Sequence, residues 1–249
     1  MTPQQPPVRI PPQIYTAVLT EKKQLNARYF FLHLELQMPN RITFTAGQHV
    51  SLSVPGIDQR KSYSITSTPE MNHAVELLVD IQPQGPGSQY ISQVNIGEEV
   101  SFLAPLGRYH ITQQDDPICE KEKALTFIAT GSGIAPFKSM IIDQLRRVGD
   151  TRKIRLIWGV RHEDDLVLLE KFEELQLGFP NFEFHPVISQ AQPEWNLCRG
   201  HVDDCLNVHG FIPESGYYIC GNKEMVQQIA DLLIQKGISE DIIHWEKYN

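Results

Sequence analysis

The hydrophobic periodicity of this chain changes once along its length, and that change constrains the fold more than any other feature. From Ile14 to about Thr112, apolar and polar residues alternate in short runs such as YTAVLT, HVSLSV and VELLVDI, with turn-forming segments such as QGPG between them. Runs of this kind predict antiparallel strands in a barrel or sandwich. From Ala124 onward, runs such as KIRLIWG alternate with helical stretches such as KEMVQQIADLLIQKG, which predicts βαβ units and a parallel sheet.

The polar segment QQDDPICEKEK, at 113–123, separates the two patterns and predicts a domain boundary. We therefore expect a β domain over 1–113, a linker over 114–123 and an α/β domain over 124–249. The proline-rich start PQQPPVRIPP predicts an extended tail. Because ligands of open parallel sheets bind beyond the carboxyl ends of the strands, the loops at those ends are expected to carry the function.

Charge and composition exclude several classes of protein. The 249 residues carry 22 basic and 30 acidic side chains, a formal net charge of −8, so no overall positive field attracts a nucleic acid. No run approaches the roughly 20 apolar residues of a membrane-spanning helix. The first thirty residues lack the basic start and apolar core of a secretory signal, so we expect a cytoplasmic protein.

The spacing of the cysteines predicts no metal centre. Cys119, Cys198, Cys205 and Cys220 are not separated by the two to four residues usual for paired ligands of zinc or of an iron–sulfur cluster. We expect no histidine to bind a metal, because we expect none to lie at ligand spacing from another ligand on a helix. The sequence therefore predicts free thiols in a reducing compartment.

A glycine-containing loop follows the first strand of the second half, in FIATGSGIAPFKSM at 127–140. Gly131 and Gly133 allow the backbone to approach a bound anion, and the start of the following helix favours phosphate. The loop matches neither GxGxxG nor GxxxxGK[ST], so neither generic nucleotide-binding pattern is supported. On the two glycines alone, an ordinary strand-to-helix turn is the alternative interpretation.

Seven motifs, in order along the chain, resemble those of the ferredoxin–NADP reductase superfamily. They are KSYS at 61–64, GPGS at 85–88, APLGRY at 104–109, TGSGIAPF at 130–137, WGVR at 158–161 with the following DL, CGNKEM at 220–225 and EKY at 246–248. The resemblance implies a two-domain protein, an antiparallel β-barrel FAD-binding domain followed by an α/β parallel-sheet NAD(P)-binding domain. It also implies hydride transfer between the two cofactors.

The same resemblance assigns the flavin contacts. It places Tyr63 against the flavin, Lys61 at its phosphates, and Gly87 and Ser88 at its pyrophosphate. Lys61 stands where the family usually has an arginine, whose forked guanidinium binds phosphate more firmly. The adjacent Arg60 points to the opposite face of a regular strand, and only a bulge would bring it round.

A catalytic set of Ser64, Cys220, Glu246 and Tyr248 is implied at the nicotinamide position. Glu246 and Tyr248 share one face of the last strand that the alternation predicts, and the resemblance places the tyrosine ring over the flavin where nicotinamide docks. Asn249 follows the tyrosine, and a frayed carboxyl terminus is the alternative interpretation.

Further residues are implied for the dinucleotide. They are Gly131, Ser132, Gly133, Gly221 and Met225, together with Arg161, Ser189 and Arg199 around a 2′-phosphate. Ser132 replaces a threonine of the family and keeps the hydroxyl. Ser189 retains the serine of the usual serine–arginine pair, but a glutamine follows it. The carboxyl-terminal motifs favour NADPH as the dinucleotide, and NADH is the alternative.

The function that this resemblance implies is a reductase that transfers hydride between NAD(P)H and FAD and passes electrons to a separate acceptor such as ferredoxin or flavodoxin. The alternatives are a reductase component of an oxygenase, a free-flavin reductase, and a non-enzymatic flavin- or nucleotide-binding regulatory module. An acidic carrier protein requires a local basic patch. The candidate patch, which fits a solvated surface equally well, consists of Arg146, Arg147, Arg152, Lys153 and Arg155.

Overall fold

Two six-stranded sheets, one for each periodicity, make up the computed structural model, which describes residues 11–112 and 116–248. The first half contains β1 (Gln13–Gln24), β2 (Tyr29–Met38), β3 (His49–Ser53), β4 (Arg60–Ser64), β5 (Ala74–Asp80), α1 (Pro86–Gln93) and β6 (Glu99–Leu106). The second half contains β7 (Ala124–Thr130), α2 (Ile134–Ile142), β8 (Lys153–Val160), α3 (Leu169–Gly178), β9 (Phe182–Ile188), β10 (Cys198–Arg199), α4 (Val202–His209), β11 (Ser215–Asn222), α5 (Lys223–Gln235) and β12 (Ile243–Tyr248).

Several short turns complete the described chain. They are 3₁₀ turns at Pro117–Lys121, Gly131–Gly133, Glu163–Asp165 and Glu240–Ile242, and a π-helical turn at Asp143–Val148 that extends α2. Most of the proline-rich segment, residues 113–115 of the predicted boundary and Asn249 lie outside the described residues.

The first sheet is an antiparallel, nearly closed barrel, as the alternating pattern predicts. Its strands are ordered β4-β3-β6-β1-β2-β5, and a bridge between Ile65 and Leu77 joins the two edges. In β1 the inward positions are Tyr15, Ala17 and Leu19, all of which are buried, while the residues between them are more exposed. The period of two therefore specifies which face of each strand lines the barrel core.

The second sheet is parallel throughout and is ordered β10-β9-β8-β7-β11-β12. Its central strands β7 and β8 are buried at nearly every position, because helices cover both faces of the sheet. The predicted two-domain fold is confirmed. Within the described ranges the longest helix is α5, and none combines the length and apolar character needed to cross a membrane.

Side chains from both domains fix their contact. The Tyr109 hydroxyl of the first domain donates to the carbonyl of Ile219 in β11, at 2.9 Å. Ser139 in α2 donates to the carbonyl of Ser67, at 2.6 Å. These bonds hold the open side of the barrel beside the carboxyl ends of the parallel strands.

The end of the segment predicted as a linker is part of the packed interior. Glu122 is buried, and its carboxylate accepts hydrogen bonds from the hydroxyls of Tyr218, at 3.1 Å, and Thr112, at 3.1 Å. The same carboxylate lies 2.7 Å from Nε2 of His244 in β12. One buried acid thus joins the end of the first domain, β11 and β12, while the domain bounds given above stay a prediction.

We expect Glu122→Ala to lower the free energy of unfolding by about 2 to 4 kcal/mol, because removing the carboxylate leaves the buried Tyr218 hydroxyl and the His244 ring without their partner. Urea unfolding at neutral pH measures the change. The matched control is Glu120→Ala, since Glu120 is exposed two residues away and its loss should change stability by less than about 0.5 kcal/mol. Equal effects of the two changes would show that the buried network contributes nothing.

Candidate functional site

A large cleft lies between the barrel and the carboxyl ends of the parallel strands. Its volume is about 1070 Å³, at the upper limit of the range of about 300 to 1,000 Å³ that is usual for small-molecule sites. It is lined from the barrel side by β4 and the start of α1, and from the other side by the ends of β7, β8, β9, β11 and β12. The position agrees with the expectation that ligands bind at the ends of parallel strands.

The barrel side of the cleft brings Lys61, Tyr63 and Gly87 together, with Ser88 beside them. A Cβ atom on Gly87 would lie 2.4 Å from the Tyr63 hydroxyl and 2.8 Å from Cγ of Lys61. Only glycine therefore allows α1 to approach β4 this closely. Burial raises the pKa of Tyr63 to about 12, so its hydroxyl is neutral at physiological pH.

The structure also distinguishes Lys61 from its neighbour. The pairing of β3 with β4 runs without a bulge from Arg60 to Ser64. Arg60 is exposed and does not line the cleft, whereas Lys61 does. Lysine, rather than a rotated arginine, is the cation that this strand offers to a phosphate.

The loop after β7 packs tightly against the end of β11. A Cβ atom on Gly133 would lie 2.2 Å from the carbonyl oxygen of Cys220, and one on Gly221 would lie 2.2 Å from Oγ1 of Thr130 and 2.6 Å from Cε of Met225. Gly133 itself does not line the cleft, so its role in the structure is this backbone contact. Close packing of the two loops leaves the backbone around 130–132 facing the cleft.

Ser64, Cys220, Glu246 and Tyr248 converge at the junction of the two domains. The hydroxyls of Ser64 and Tyr248 lie 2.8 Å apart, which links β4 of the barrel to the last strand of the parallel sheet. Cys220 in β11 is paired in register with Glu246 in β12. Cys220 is fully buried and lies behind the cleft surface, whereas the other three side chains line it.

Burial sets the protonation of this cluster. It raises the pKa of Glu246 to about 7. Burial and the nearby Glu246 charge raise the pKa of the Cys220 thiol, and burial raises the pKa of the Tyr248 hydroxyl well above its usual value. Glu246 is therefore the member of the cluster that gains and loses a proton near neutral pH, and Cys220 stays a neutral thiol.

Two polar atoms of the cleft fit a bound cofactor. Oε2 of Glu246 and Oγ1 of Thr130 are buried, and neither has a hydrogen-bond partner among the described residues. Buried polar atoms without partners are costly, so they are expected to pair with a ligand or water. Together with the cradle at Gly87 and Lys61, they suit an FAD and a pyridine dinucleotide that meet at the domain junction.

The far side of the cleft contains Arg161 and Ser189, as the motifs imply, but not Arg199. The Arg199 guanidinium instead donates to the carbonyls of Gln192, at 3.0 Å, and Pro193, at 2.9 Å. It also donates to the carbonyl of Trp195. Arg199 thus stabilises the 192–195 loop in this structure and is not brought to the cleft.

The cleft contains charged residues that the motifs did not indicate. Arg28 lines it and donates to Oδ2 of Asp80 from Nε, at 2.8 Å, and from Nη2, at 2.5 Å. A Cβ atom on Gly131 would lie 3.4 Å from Nη2 of Arg28, so the arginine reaches across to the dinucleotide loop. Asp203, at the start of α4, also lines the cleft. Neither residue lies in a recognisable motif, and only the tertiary structure identifies them.

Each cation of the candidate basic patch lies close to an acidic side chain. Arg147 pairs with Asp143, Arg152 with Asp150, and both Lys153 and Arg155 with Glu183, while Arg146 lies 3.8 Å from Glu174. Lys153 begins β8, so this end of the sheet is opposite the cleft. The interpretation as an ion-paired surface accounts for the first four residues of the patch, whereas Arg155 is buried.

The assumption that no histidine lies at ligand spacing on a helix is corrected by α4. Cys205 and His209 are four residues apart on this helix, and β10 brings Cys198 beside them. The spacing of the cysteines does not reveal this group of three side chains, because one of them is a histidine and another comes from a separate strand. All four cysteines of the chain are free.

Comparison with known protein families gives two matches that follow the two sheets. The protein family described as "Oxidoreductase FAD-binding domain" matches residues 16–111. The protein family described as "Oxidoreductase NAD-binding domain" matches residues 127–231. Together they cover the barrel and most of the parallel-sheet domain.

Curated relatives align over nearly the whole chain. The phenol 2-monooxygenase reductase component DmpP of Pseudomonas sp. (strain CF600) is 34% identical over 245 residues, which are 96% of this chain and 66% of the relative. The phenol hydroxylase P5 protein of Acinetobacter pittii is 31% identical over 241 residues, 95% of this chain and 66% of the relative. The chain thus spans about two thirds of the length of these relatives.

Solved structures show the same architecture. The Amycolatopsis cytochrome P450 reductase GcoB matches with a TM-score of 0.84 and 27% identity, covering 95% of this chain and 70% of that one. A Neisseria gonorrhoeae ferredoxin NADP+ reductase with bound FAD and NADP matches in fold, with a TM-score of 0.76 and 23% identity over 95% of this chain and 98% of that one. From its two domains, its cleft and these relatives, the chain belongs to the ferredoxin–NADP reductase superfamily of FAD- and NAD(P)-binding oxidoreductases.

Proposed function

We propose that this chain is a reductase that moves hydride from a reduced pyridine dinucleotide to FAD and passes the electrons to a separate oxygenase component or to its electron carrier. The observation that carries the proposal is the convergence of Ser64, Glu246 and Tyr248 where the barrel meets the ends of the parallel strands. The choice of acceptor is supported by two relatives, a phenol 2-monooxygenase reductase component and a toluate 1,2-dioxygenase electron transfer component. A ferredoxin- or flavodoxin-like protein is one form that such a carrier takes.

Bound FAD would supply the ability to accept two electrons together as hydride and to release them singly. The protein groups hold it in place. Lys61 provides a positive charge for the phosphates, and the backbone at Gly87 and Ser88, at the start of α1, provides donors at the positive end of the helix dipole. Tyr63 offers a neutral aromatic face beside them.

At the junction, three side chains act on the nicotinamide. The Tyr248 ring occupies the space in front of the barrel, and its hydrogen bond to Ser64 fixes the ring's position. Glu246 is half-ionised near neutral pH because burial raises its pKa to about 7. Its negative form stabilises the positive charge that nicotinamide gains when hydride leaves, and the buried position strengthens that interaction. The presence of this group argues against a purely regulatory module.

We propose NADH as the preferred donor, against the preference for NADPH that the carboxyl-terminal motifs suggest. Two features of the cleft favour NADH. Arg199 is engaged with loop carbonyls, so it is not available to a 2′-phosphate. Asp203 lines the cleft, as Arg161 does, and its negative charge opposes a 2′-phosphate bound near it.

The function is tested by mixing the FAD-loaded protein with NADH and with NADPH in the absence of oxygen. We expect NADH to bleach the flavin absorbance with one equivalent of donor, and a purified oxygenase component or carrier to restore it. A protein that takes up no FAD, or whose flavin neither donor reduces, would contradict the proposal.

Lys61→Ala should weaken FAD binding by about 5- to 150-fold, which corresponds to the loss of about 1 to 3 kcal/mol from one charge-assisted contact. Equilibrium dialysis of the flavin measures this effect. Arg60→Ala is the matched control, since it removes an adjacent cation that does not line the cleft, and its flavin affinity should stay within about twofold. A larger effect at Arg60 would mean that the wrong cation has been assigned to the phosphates.

Asp203→Asn should raise kcat/KM for NADPH about 5- to 30-fold relative to NADH, because it removes about 1 to 2 kcal/mol of charge repulsion against a 2′-phosphate. Steady-state reduction of a dye with both donors gives the ratio. Arg161→Ala should lower the same ratio, and Arg199→Ala should leave it unchanged. The dinucleotide assignment fails if Arg199→Ala alters the ratio more than Asp203→Asn does.

Tyr248→Ser should tighten binding of the oxidised dinucleotide by about 2- to 10-fold and slow turnover, because it removes the stacked ring that competes with nicotinamide. Equilibrium titration followed by flavin absorbance detects the change. Tyr248→Phe keeps the ring and loses only the hydroxyl, with its contacts to Ser64 and Cys220, so its affinity should stay near that of the unaltered protein. Tighter binding in both variants would indicate that the hydroxyl, not the ring, controls access.

A further inference from the structure

We propose that Cys198, Cys205 and His209 form a binding site for a thiophilic d¹⁰ metal ion of the Zn²⁺ class. The site is separate from the cofactor cleft, which none of the three residues lines. It goes beyond the proposed reductase function and does not depend on it.

The three ligand atoms lie within bonding reach of one ion. The sulfur of Cys198 is 2.8 Å from the sulfur of Cys205 and 3.3 Å from Nε2 of His209, and all three atoms lie within 4.8 Å of one another. Zinc binds sulfur at about 2.3 Å and imidazole nitrogen at about 2.0 to 2.1 Å, so tetrahedral ligands are separated by about 3.5 to 3.8 Å. The sulfur–nitrogen distance is already close to that value, and the two sulfurs need to separate by about 1 Å, which side-chain rotation supplies.

Two different elements hold the ligands in place. Cys205 and His209 are four residues apart on α4 and therefore project from the same side of the helix. Cys198 lies in β10, which is paired with β9, and its carbonyl accepts a hydrogen bond from Nε1 of Trp195, at 3.0 Å. The ion would join an edge strand to a helix.

The histidine ligand is oriented by its surroundings. Its ring packs on the ring of His185, with centroids 3.9 Å apart and an angle of 31° between the planes. At the end of the same helix, Nη1 of Arg155 donates to the carbonyl of Gly210, at 2.8 Å. Because these neighbours already fix the ring and the end of α4, less conformational entropy is lost when the ion binds.

The donor set determines the class of ion. Two thiols and an imidazole suit zinc and similar thiophilic ions, while Mg²⁺ and Ca²⁺ prefer oxygen ligands. Binding replaces two thiol protons, which are released to solvent, and leaves a neutral centre from one dication and two thiolates. His209 is exposed and Cys198 half-buried, so solvent can provide the fourth ligand.

The site is connected to the dinucleotide side of the cleft through one short helix. The ligands Cys205 and His209 occupy the middle and end of α4, and His201, Val202 and Asp203 at its start line the cleft. The proposal concerns binding of the ion itself. It can therefore be tested without measuring enzymatic turnover.

The test uses the full FAD-loaded chain, reduced and freed of metal by a chelator under anaerobic conditions. Titration with Co²⁺ should give tetrahedral thiolate–cobalt bands at wavelengths beyond the flavin absorption, saturating at one ion per chain. Two protons should be released per ion, and Zn²⁺ should displace the cobalt. Cys205→Ser and His209→Ala should each weaken Co²⁺ binding by at least about 100-fold.

Cys119→Ser is the matched control, since Cys119 is a half-buried thiol outside the cluster, and it should bind Co²⁺ as the unaltered chain does. Because His209 is exposed, its replacement keeps the fold, which unchanged flavin binding and circular dichroism will verify. Absence of thiolate–cobalt bands in the reduced protein, or equal loss of binding in the Cys119 variant, would overturn the proposal.

Discussion

The hydrogen bond between Ser64 and Tyr248 connects the barrel to the last strand of the parallel sheet across the candidate site. Ser64 ends β4, and Tyr248 ends β12, so the bond joins segments 184 residues apart. The register of β12 on β11 then determines that Glu246 lies opposite Cys220. A shift of one residue in that register would turn Glu246 and Tyr248 to the other face of the strand.

Burial at this junction converts an ordinary carboxyl group into one that titrates near pH 7. Its neighbours cannot titrate there, because burial raises the pKa of the Cys220 thiol and of the Tyr248 hydroxyl. The cluster therefore changes its charge through one group. Cys220 contributes by filling space behind the cleft, where the backbone of its strand also meets Gly133.

The fold could be predicted from periodicity, because burial on one face or on both faces leaves different patterns in a strand. The motif residues on β4, β11 and β12 could also be predicted to lie at the site, because strand register determines which side chains face it. Arg199 and Arg28 show where that reasoning ends. Arg199 lies near the expected position in sequence but turns to loop carbonyls, and Arg28 enters the cleft from a turn with no distinguishing pattern. The group on α4 and β10 likewise depends on a packing contact that spacing alone does not show.

Under the proposed function, Glu246 in its ionised form promotes hydride transfer. The most direct measurement is anaerobic stopped-flow reduction of the bound flavin by saturating NADH between pH 5.5 and 8.5, a range of about 1.5 units on either side of a pKa near 7. We expect the rate constant to rise with pH through about 7, and we expect Glu246→Gln to remove this rise and to reduce flavin slowly at every pH. A variant with the same pH profile and the same rate as the unaltered protein would contradict it.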